Sequence, residues 1–188
     1  MSMNRKRSLF VAVVCVCGLV VAAVSLTLVP RLIGYRTFRI PVASMEPTLI
    51  AGDHFVADLK CYDSRTPERG DIIVFAYPRD RSISLAKRVV GRAGDTIEVR
   101  GKKVILNGKE LEEPYAQYLD DRSAVAYGRR FDMKPTKVPQ ASLFVMGDNR
   151  DRTTDSRMWG FVPLADVKGK ILFVYWNPDA FSRIGTTF

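Results

Sequence analysis

Residues 84–91 read Ser84-Leu85-Ala86-Lys87-Arg88-Val89-Val90-Gly91, an apolar run with two cations at its centre. A β-strand sends successive side chains to opposite faces, so Leu85, Lys87 and Val89 share one face and Ala86, Arg88 and Val90 the other. Whichever face turns inward carries a cation with it. Lysine is seldom buried, because desolvation penalises its ammonium and lowers its pKa. A strand here therefore implies either an amine held partly neutral or a guanidinium that reaches a carboxylate. With Lys87 on the buried face, Leu85 and Val89 supply the desolvation and Arg88 must find an acidic partner.

Outward from this run the chain continues in short segments punctuated by glycine. A Gly-Asp pair precedes a β-rich stretch three times, at Gly52-Asp53, Gly70-Asp71 and Gly94-Asp95. Glycine supplies a positive φ, and aspartate accepts from nearby backbone N–H groups, so each pair reads as a turn. Spacings between the pairs are irregular, which argues for repeated turn chemistry over a repeat array. Further strands are expected at Lys103–Leu106, with a hairpin turn at Asn107-Gly108, and at Leu143–Met146 and Lys170–Tyr175. Residues 31–188 show no long amphipathic helical pattern. The expected fold is mostly β, an antiparallel domain of short strands, with a polar, turn-rich insertion at about 100–140. The aromatic stretches Trp159-Gly160-Phe161 and Phe173-Val174-Tyr175-Trp176 read as core, with a membrane-facing patch as the alternative.

The chain has 188 residues, enough for one domain with a small appendage. From Leu9 to Val29 it runs LFVAVVCVCGLVVAAVSLTLV, with no charge and with Arg5, Lys6 and Arg7 before it. That matches the roughly 20 apolar residues that cross a hydrocarbon core. A cleaved signal peptide has an apolar core of about 7–15 residues, shorter than this run, so a single-pass anchor over 9–29 is favoured, with residues 1–8 as a cytoplasmic tail. Three basic residues lie on each flank (Arg5, Lys6, Arg7 against Arg31, Arg36, Arg39), and the flanking charges do not decide its orientation. The net charge is +9, of which Arg5, Lys6 and Arg7 carry three, leaving +6 for the rest. Solubility and attraction to anionic lipid both account for it. The basic residues are scattered and no nucleic-acid-binding motif is present, which argues against a nucleic-acid partner.

Cys15 and Cys17 lie inside the apolar run and leave Cys61 alone beyond it, so the β domain has no internal disulfide and no cysteine cluster for zinc. The single His54 speaks against a histidine metal centre. No metal or cofactor is expected. His54 is also the only histidine available to activate a hydroxyl, and ordinary hydrogen bonding is its simpler role. Lys87 is the other candidate base. At a pKa of about 10.4 fewer than one lysine in a thousand is neutral at pH 7, and burial that lowers the pKa by about two or three units changes that. A candidate nucleophile is Ser44, in Ile40-Pro41-Val42-Ala43-Ser44-Met45-Glu46-Pro47-Thr48-Leu49. Two prolines stiffen that segment, although a serine in such a turn is commonly structural. A third stretch, Gly147-Asp148-Asn149-Arg150-Asp151-Arg152-Thr153-Thr154-Asp155-Ser156-Arg157, is either a solvated ion-paired loop or a scaffold behind a site.

SMEPTL (44–49), RGDIIVF (69–75), KRVVGRAGD (87–95) and GDNRDRTTDSRMWGFVP (147–163), in this order behind an apolar N-terminal run, resemble the signature boxes of the type I signal peptidases. These are membrane-bound Ser/Lys proteases that remove signal peptides from exported proteins, and the resemblance covers nearly all of residues 37–178. It implies Ser44 as nucleophile and Lys87 as general base. It further implies Thr153 as the hydroxyl that orients the lysine, Asp155 with Arg157 as an ion pair beneath the site, and Asp148 with Arg88 as its neighbour. Ile40, Pro41, Met45, Leu49, Leu85 and Ala86 match groove and pocket positions for an extended peptide with small residues at the first and third positions before the cut. The expected partners are secreted preproteins and membrane lipid. The expected location is a bacterial inner (plasma) membrane, with the catalytic domain on the exported side.

One departure stands out. Where many bacterial members carry an oxyanion-hole serine two positions before the nucleophile, this chain has Val42, so the Ser44 N–H needs another donor beside it. A specialised relative, such as a conjugative-pilus maturation peptidase, shares all these boxes and differs in substrate range. A membrane-anchored binding protein on the same scaffold would leave Ser44 and Lys87 merely structural.

Overall fold

In the computed structural model, residues 15–21, 23–25, 33–119 and 132–188 are described. Residues 1–36 and 37–188 form two compact units. The described part of the first unit is helical at 15–21 and 23–25, inside the expected anchor, whose remaining positions lie outside the described residues. Among the described residues no helix is long and apolar enough to cross a membrane.

The second unit is mostly antiparallel β. Its strands are β1 (Tyr35–Arg39, entering from the first unit), β2 (His54–Asp58), β3 (Ile72–Tyr77), β4 (Asp80–Arg92), β5 (Thr96–Arg100) and β6 (Lys103–Leu106), followed by β7 (Lys109–Glu110), β8 (Met133–Lys137), β9 (Ser142–Met146), β10 (Val162–Pro163) and β11 (Val167–Trp176). Seven form one sheet in the order β1-β2-β11-β3-β4-β9-β10, and four form a second in the order β7-β6-β5-β8. The α-helix of this unit among the described residues is a single turn, Ser156–Trp159.

The Gly-Asp turns work as one device used three times. Gly52, Gly70 and Gly94 hold φ near +90° (92°, 92° and 89°). The aspartate that follows accepts from the N–H three residues back: Asp53 from Ile50, Asp71 from Glu68, Asp95 from Arg92. All three aspartates are buried. Each is balanced by a distant cation, respectively Arg183, Lys170 and Arg69. A buried carboxylate without such partners would be costly, so these turns also tie strand starts to far-off parts of the chain. Burial alone would raise the Asp71 pKa, but the Lys170 ammonium, the Glu68 N–H and the Tyr62 hydroxyl hold it below its ordinary value.

Two apolar clusters bear on the site. Ile40, Met45, Leu49, Phe55, Ala57, Ile72, Val74, Ile171 and Val174 form one. Ile73, Phe75, Val89, Leu143, Val145 and Val162 form another, on which Leu85 packs. Trp159 and Phe161 also pack on core clusters, as expected. Tyr175 and Trp176 do not: they are exposed, and Trp176 lies edge-on to the exposed Phe181 at 5.2 Å. They sit at the end of β11, beyond its last pairing with β3 at Lys170.

Candidate active site

β4 carries the central lysine. It pairs with β3 in the register Ile72↔Arg88, Ile73↔Lys87, Val74↔Ala86 and Phe75↔Leu85, which holds the Lys87 backbone between strands on both sides as β9 takes over at Arg88↔Met146. Strand alternation puts Lys87 and Arg88 on opposite faces, and the two meet different fates. Lys87 is buried, and Arg88 is partly so.

Ser44 is delivered by a 3-10 turn, Ala43–Met45. Backbone bonds from Ile40 N to Asp53 O (3.0 Å) and from Gly52 N to Ile40 O (2.9 Å) clamp the approach to it. On its far side Met45 and Leu49 are fully buried in the first cluster. These two side chains were expected in the substrate groove; the structure buries them under the Ser44 turn, and they are not among the residues that line the cavity described below. Their apolar bulk is better satisfied in the core, from which they anchor the turn that presents Ser44. The Glu46-Pro47 peptide is cis.

Together these elements bring the Lys87 Nζ within 2.8 Å of the Ser44 Oγ, in hydrogen bond, with both residues buried. Burial is the main influence on the lysine and pushes its pKa from about 10.5 down to about 8. The Asp155 and Asp148 carboxylates pull it the other way, and the Arg157 guanidinium again lowers it. Both carboxylates are committed elsewhere. Arg157 grips Asp155 with Nε and Nη2, each at 2.9 Å, and Arg88 grips Asp148 at 2.9 and 2.6 Å. Planar two-point pairs of this kind satisfy a carboxylate. Pairing each acid with an arginine leaves less negative field at the amine, so desolvation prevails.

The loop 147–157 is bonded to the Ser44 backbone and braced within itself. Asn149 N donates to Ser44 O at 3.3 Å, and Gly147 N donates to Asp155 Oδ2 at 3.1 Å. Gly147 leaves no room for a side chain: a Cβ there would fall on the Ser44 carbonyl oxygen and the Thr153 hydroxyl. Thr153 itself is buried, but its hydroxyl makes only a long contact to Thr154 O (3.5 Å) among the described residues. It forms no hydrogen bond to Lys87 there, contrary to expectation.

A cavity of about 520 Å³ opens beside Ser44 and Lys87. Ile40, Pro41, Leu85 and Ala86, all expected in a groove, line it, and so do Val42 and the previously unsuspected Phe38, Phe55, Val74 and Ile83. Periodicity marked Phe55 and Val74 simply as strand residues. Only the pairing Val74↔Ala86 reveals that their side of the sheet faces the cavity.

Sequence reasoning also missed the segment Glu113–Tyr118. Gln117 and Asn149 pair as a parallel bridge, with Gln117 N to Asp148 O at 2.7 Å and Arg150 N to Gln117 O at 2.9 Å. Tyr115 lies under the Arg88 guanidinium, 4.0 Å from ring centre to Cζ. Glu113 receives both arms of Arg150 at 2.6 Å. No motif joins these stretches, since they meet only through the fold.

Residues 10–176 match the family described as "Signal peptidase, peptidase S26". A "Signal peptidase I" from Leptolyngbya laminosa is 35% identical, over 81% of this chain and 77% of the relative. Another from Aquifex aeolicus is 32% identical, over 76% of each. A crystal structure of a signal peptidase I from Enterococcus faecalis V583 shares 33% sequence identity and superposes with a TM-score of 0.45, covering 56% of this chain and 97% of that one.

Proposed function

The chain belongs to the signal peptidase family, peptidase S26, as a serine endopeptidase of the signal peptidase I type, and on that footing we propose how it removes signal peptides from preproteins. The neutral amine of Lys87 takes the proton of the Ser44 hydroxyl as Oγ bonds to the scissile carbonyl carbon. The resulting ammonium returns that proton to the leaving amine as the C–N bond breaks, and the signal peptide stays as an ester on Ser44. Lys87 then takes a proton from water, whose oxygen attacks the ester. Ser44 recovers its proton, and the signal peptide leaves with a free carboxylate. The Ser44 backbone N–H and a second donor hold the oxyanion, since Val42 offers no hydroxyl.

The observation that carries this reading is the 2.8 Å contact between a buried amine and a buried hydroxyl beside a peptide-sized apolar cavity. Asp148, Arg88, Asp155 and Arg157 keep the loop in place and mute the field on the amine. The groove formed by Ile40, Pro41, Leu85 and Ala86 takes the substrate residues before the cut, with small side chains favoured at the first and third positions.

Work at a membrane surface belongs to the same proposal. It rests on the apolar run 9–29 as a single-pass anchor, on the exposed aromatic group Tyr175, Trp176 and Phe181, and on the net charge of +9. The catalytic domain then lies on the exported side of a bacterial inner membrane. A preprotein cleavage assay tests the chemistry. Ser44→Ala and Lys87→Ala, each folded by circular dichroism, should lose cleavage by at least a thousandfold, and wild-type activity in either overturns the dyad.

A further inference from the structure

The arginines around the catalytic loop fall into two groups. Arg88, Arg150 and Arg157 each hold a carboxylate by two points, on Asp148, Glu113 and Asp155. Arg152, from the same loop, and Arg39, at the end of β1, are exposed and have no carboxylate partner among the described residues. Both line the cavity that holds Ser44 and Lys87. The rest of that lining is largely apolar, from Phe38, Ile40, Phe55, Val74, Ile83 and Leu85. Two uncompensated guanidiniums beside a hydrocarbon floor set a positive potential where a substrate chain must lie, and low-dielectric walls strengthen it.

Resting on the peptidase reading above, we propose that Arg152, assisted by Arg39, makes this enzyme prefer preproteins with an Asp or Glu side chain close to the cleavage point. The apolar floor receives the small and aliphatic side chains, and the guanidinium receives the carboxylate at the rim. Arginine suits the task because it is always charged and presents a planar fork to a carboxylate. Because the pair forms near solvent, its effect is modest, and it shows in the association rate and in its salt dependence.

The test uses the full chain in detergent and a peptide series in which one Asp is walked through the six positions flanking the cut, each compared with Asn and Lys. At one or more positions wild type should show a kcat/KM ratio of Asp over Asn of at least threefold, shrinking towards one between 50 and 500 mM salt. Arg152→Gln should lower that ratio within the same enzyme, Arg152→Lys should retain part of it, and Arg152→Glu should turn the preference towards Lys. Arg39→Gln should lower it less. Peptides cleaved with Asp, Asn and Lys equal within twofold at every position overturn the proposal and leave the peptidase reading intact; no cleavage of any peptide or preprotein overturns both. If Arg152→Gln changes rates only with phosphatidylglycerol vesicles, and equally for Asp and Asn peptides, the rim serves lipid phosphate and the acidic-substrate proposal falls.

Discussion

Glu113 and Arg150, 37 positions apart, form a two-point ion pair with both arms at 2.6 Å, and both side chains are buried. In sequence Arg150 lies between Asp148 and Asp155, whose charges act on Lys87, and Arg157 donates to the Arg150 carbonyl at 2.8 Å. The pair thus fastens the catalytic loop to a segment outside every signature box.

Removing one partner of a buried pair strands the other charge at a cost of about 3–5 kcal/mol. Glu113→Ala should therefore destabilise the protein by about that much in a denaturant titration. The double variant Glu113→Ala/Arg150→Met, which removes both charges, should recover part of the loss. Equal stability of wild type and Glu113→Ala would show that the pair does not fasten the loop.

The lysine makes rate depend on pH in a defined direction. Only the neutral amine accepts the serine proton, so kcat should rise from pH 6 to pH 9 with a midpoint near 8. A flat profile over that range would remove Lys87 as the base.

The same group makes stability depend on pH. Its folded pKa of about 8 lies below the 10.5 of the free side chain, so the folded protein binds fewer protons between those values. Stability should then rise through pH 8 to 10.5, by about 3 kcal/mol in all at about 1.4 kcal/mol per unit. Below pH 8 the full cost of burying the ammonium is present. Lys87→Met should abolish cleavage while gaining stability relative to wild type near pH 7. The difference between the two proteins should shrink as pH approaches 10.5.

Gly147→Ala would drive a methyl into the Ser44 carbonyl and the Thr153 side chain, whose Cβ lies 2.7 Å from the added atom. Overpacking of this kind costs about 1–3 kcal/mol, and here it displaces the nucleophile. Cleavage should fall by more than a hundredfold, whereas Gly70→Ala, with open space at its Cβ, should lose stability through its positive φ and keep far more activity.

Val42 is 54% exposed, so Val42→Ser should shift stability by less than about 0.5 kcal/mol. Its hydroxyl, two residues before the nucleophile, would add an oxyanion donor and should raise kcat by up to about tenfold. A loss of activity would place the oxyanion elsewhere.

Local rules made much of this protein legible. The Gly-Asp turns, the Asn107-Gly108 hairpin with φ of 51° and 82°, and the buried Lys87 beside a carboxylate-seeking Arg88 all follow from backbone sterics, alternation and desolvation within a few residues. The pattern of boxes was enough to single out Ser44 and Lys87, which lie 43 positions apart. Other features depend on which strands become neighbours, and neighbours are chosen by burial summed over the whole chain. That sum drew Met45 and Leu49 into the core, turned Val74 and Phe55 towards the cavity, left Tyr175 and Trp176 uncovered, and brought Glu113 to Arg150. Residue type and spacing determine what a side chain needs; only the closed tertiary structure decides which distant partner supplies it.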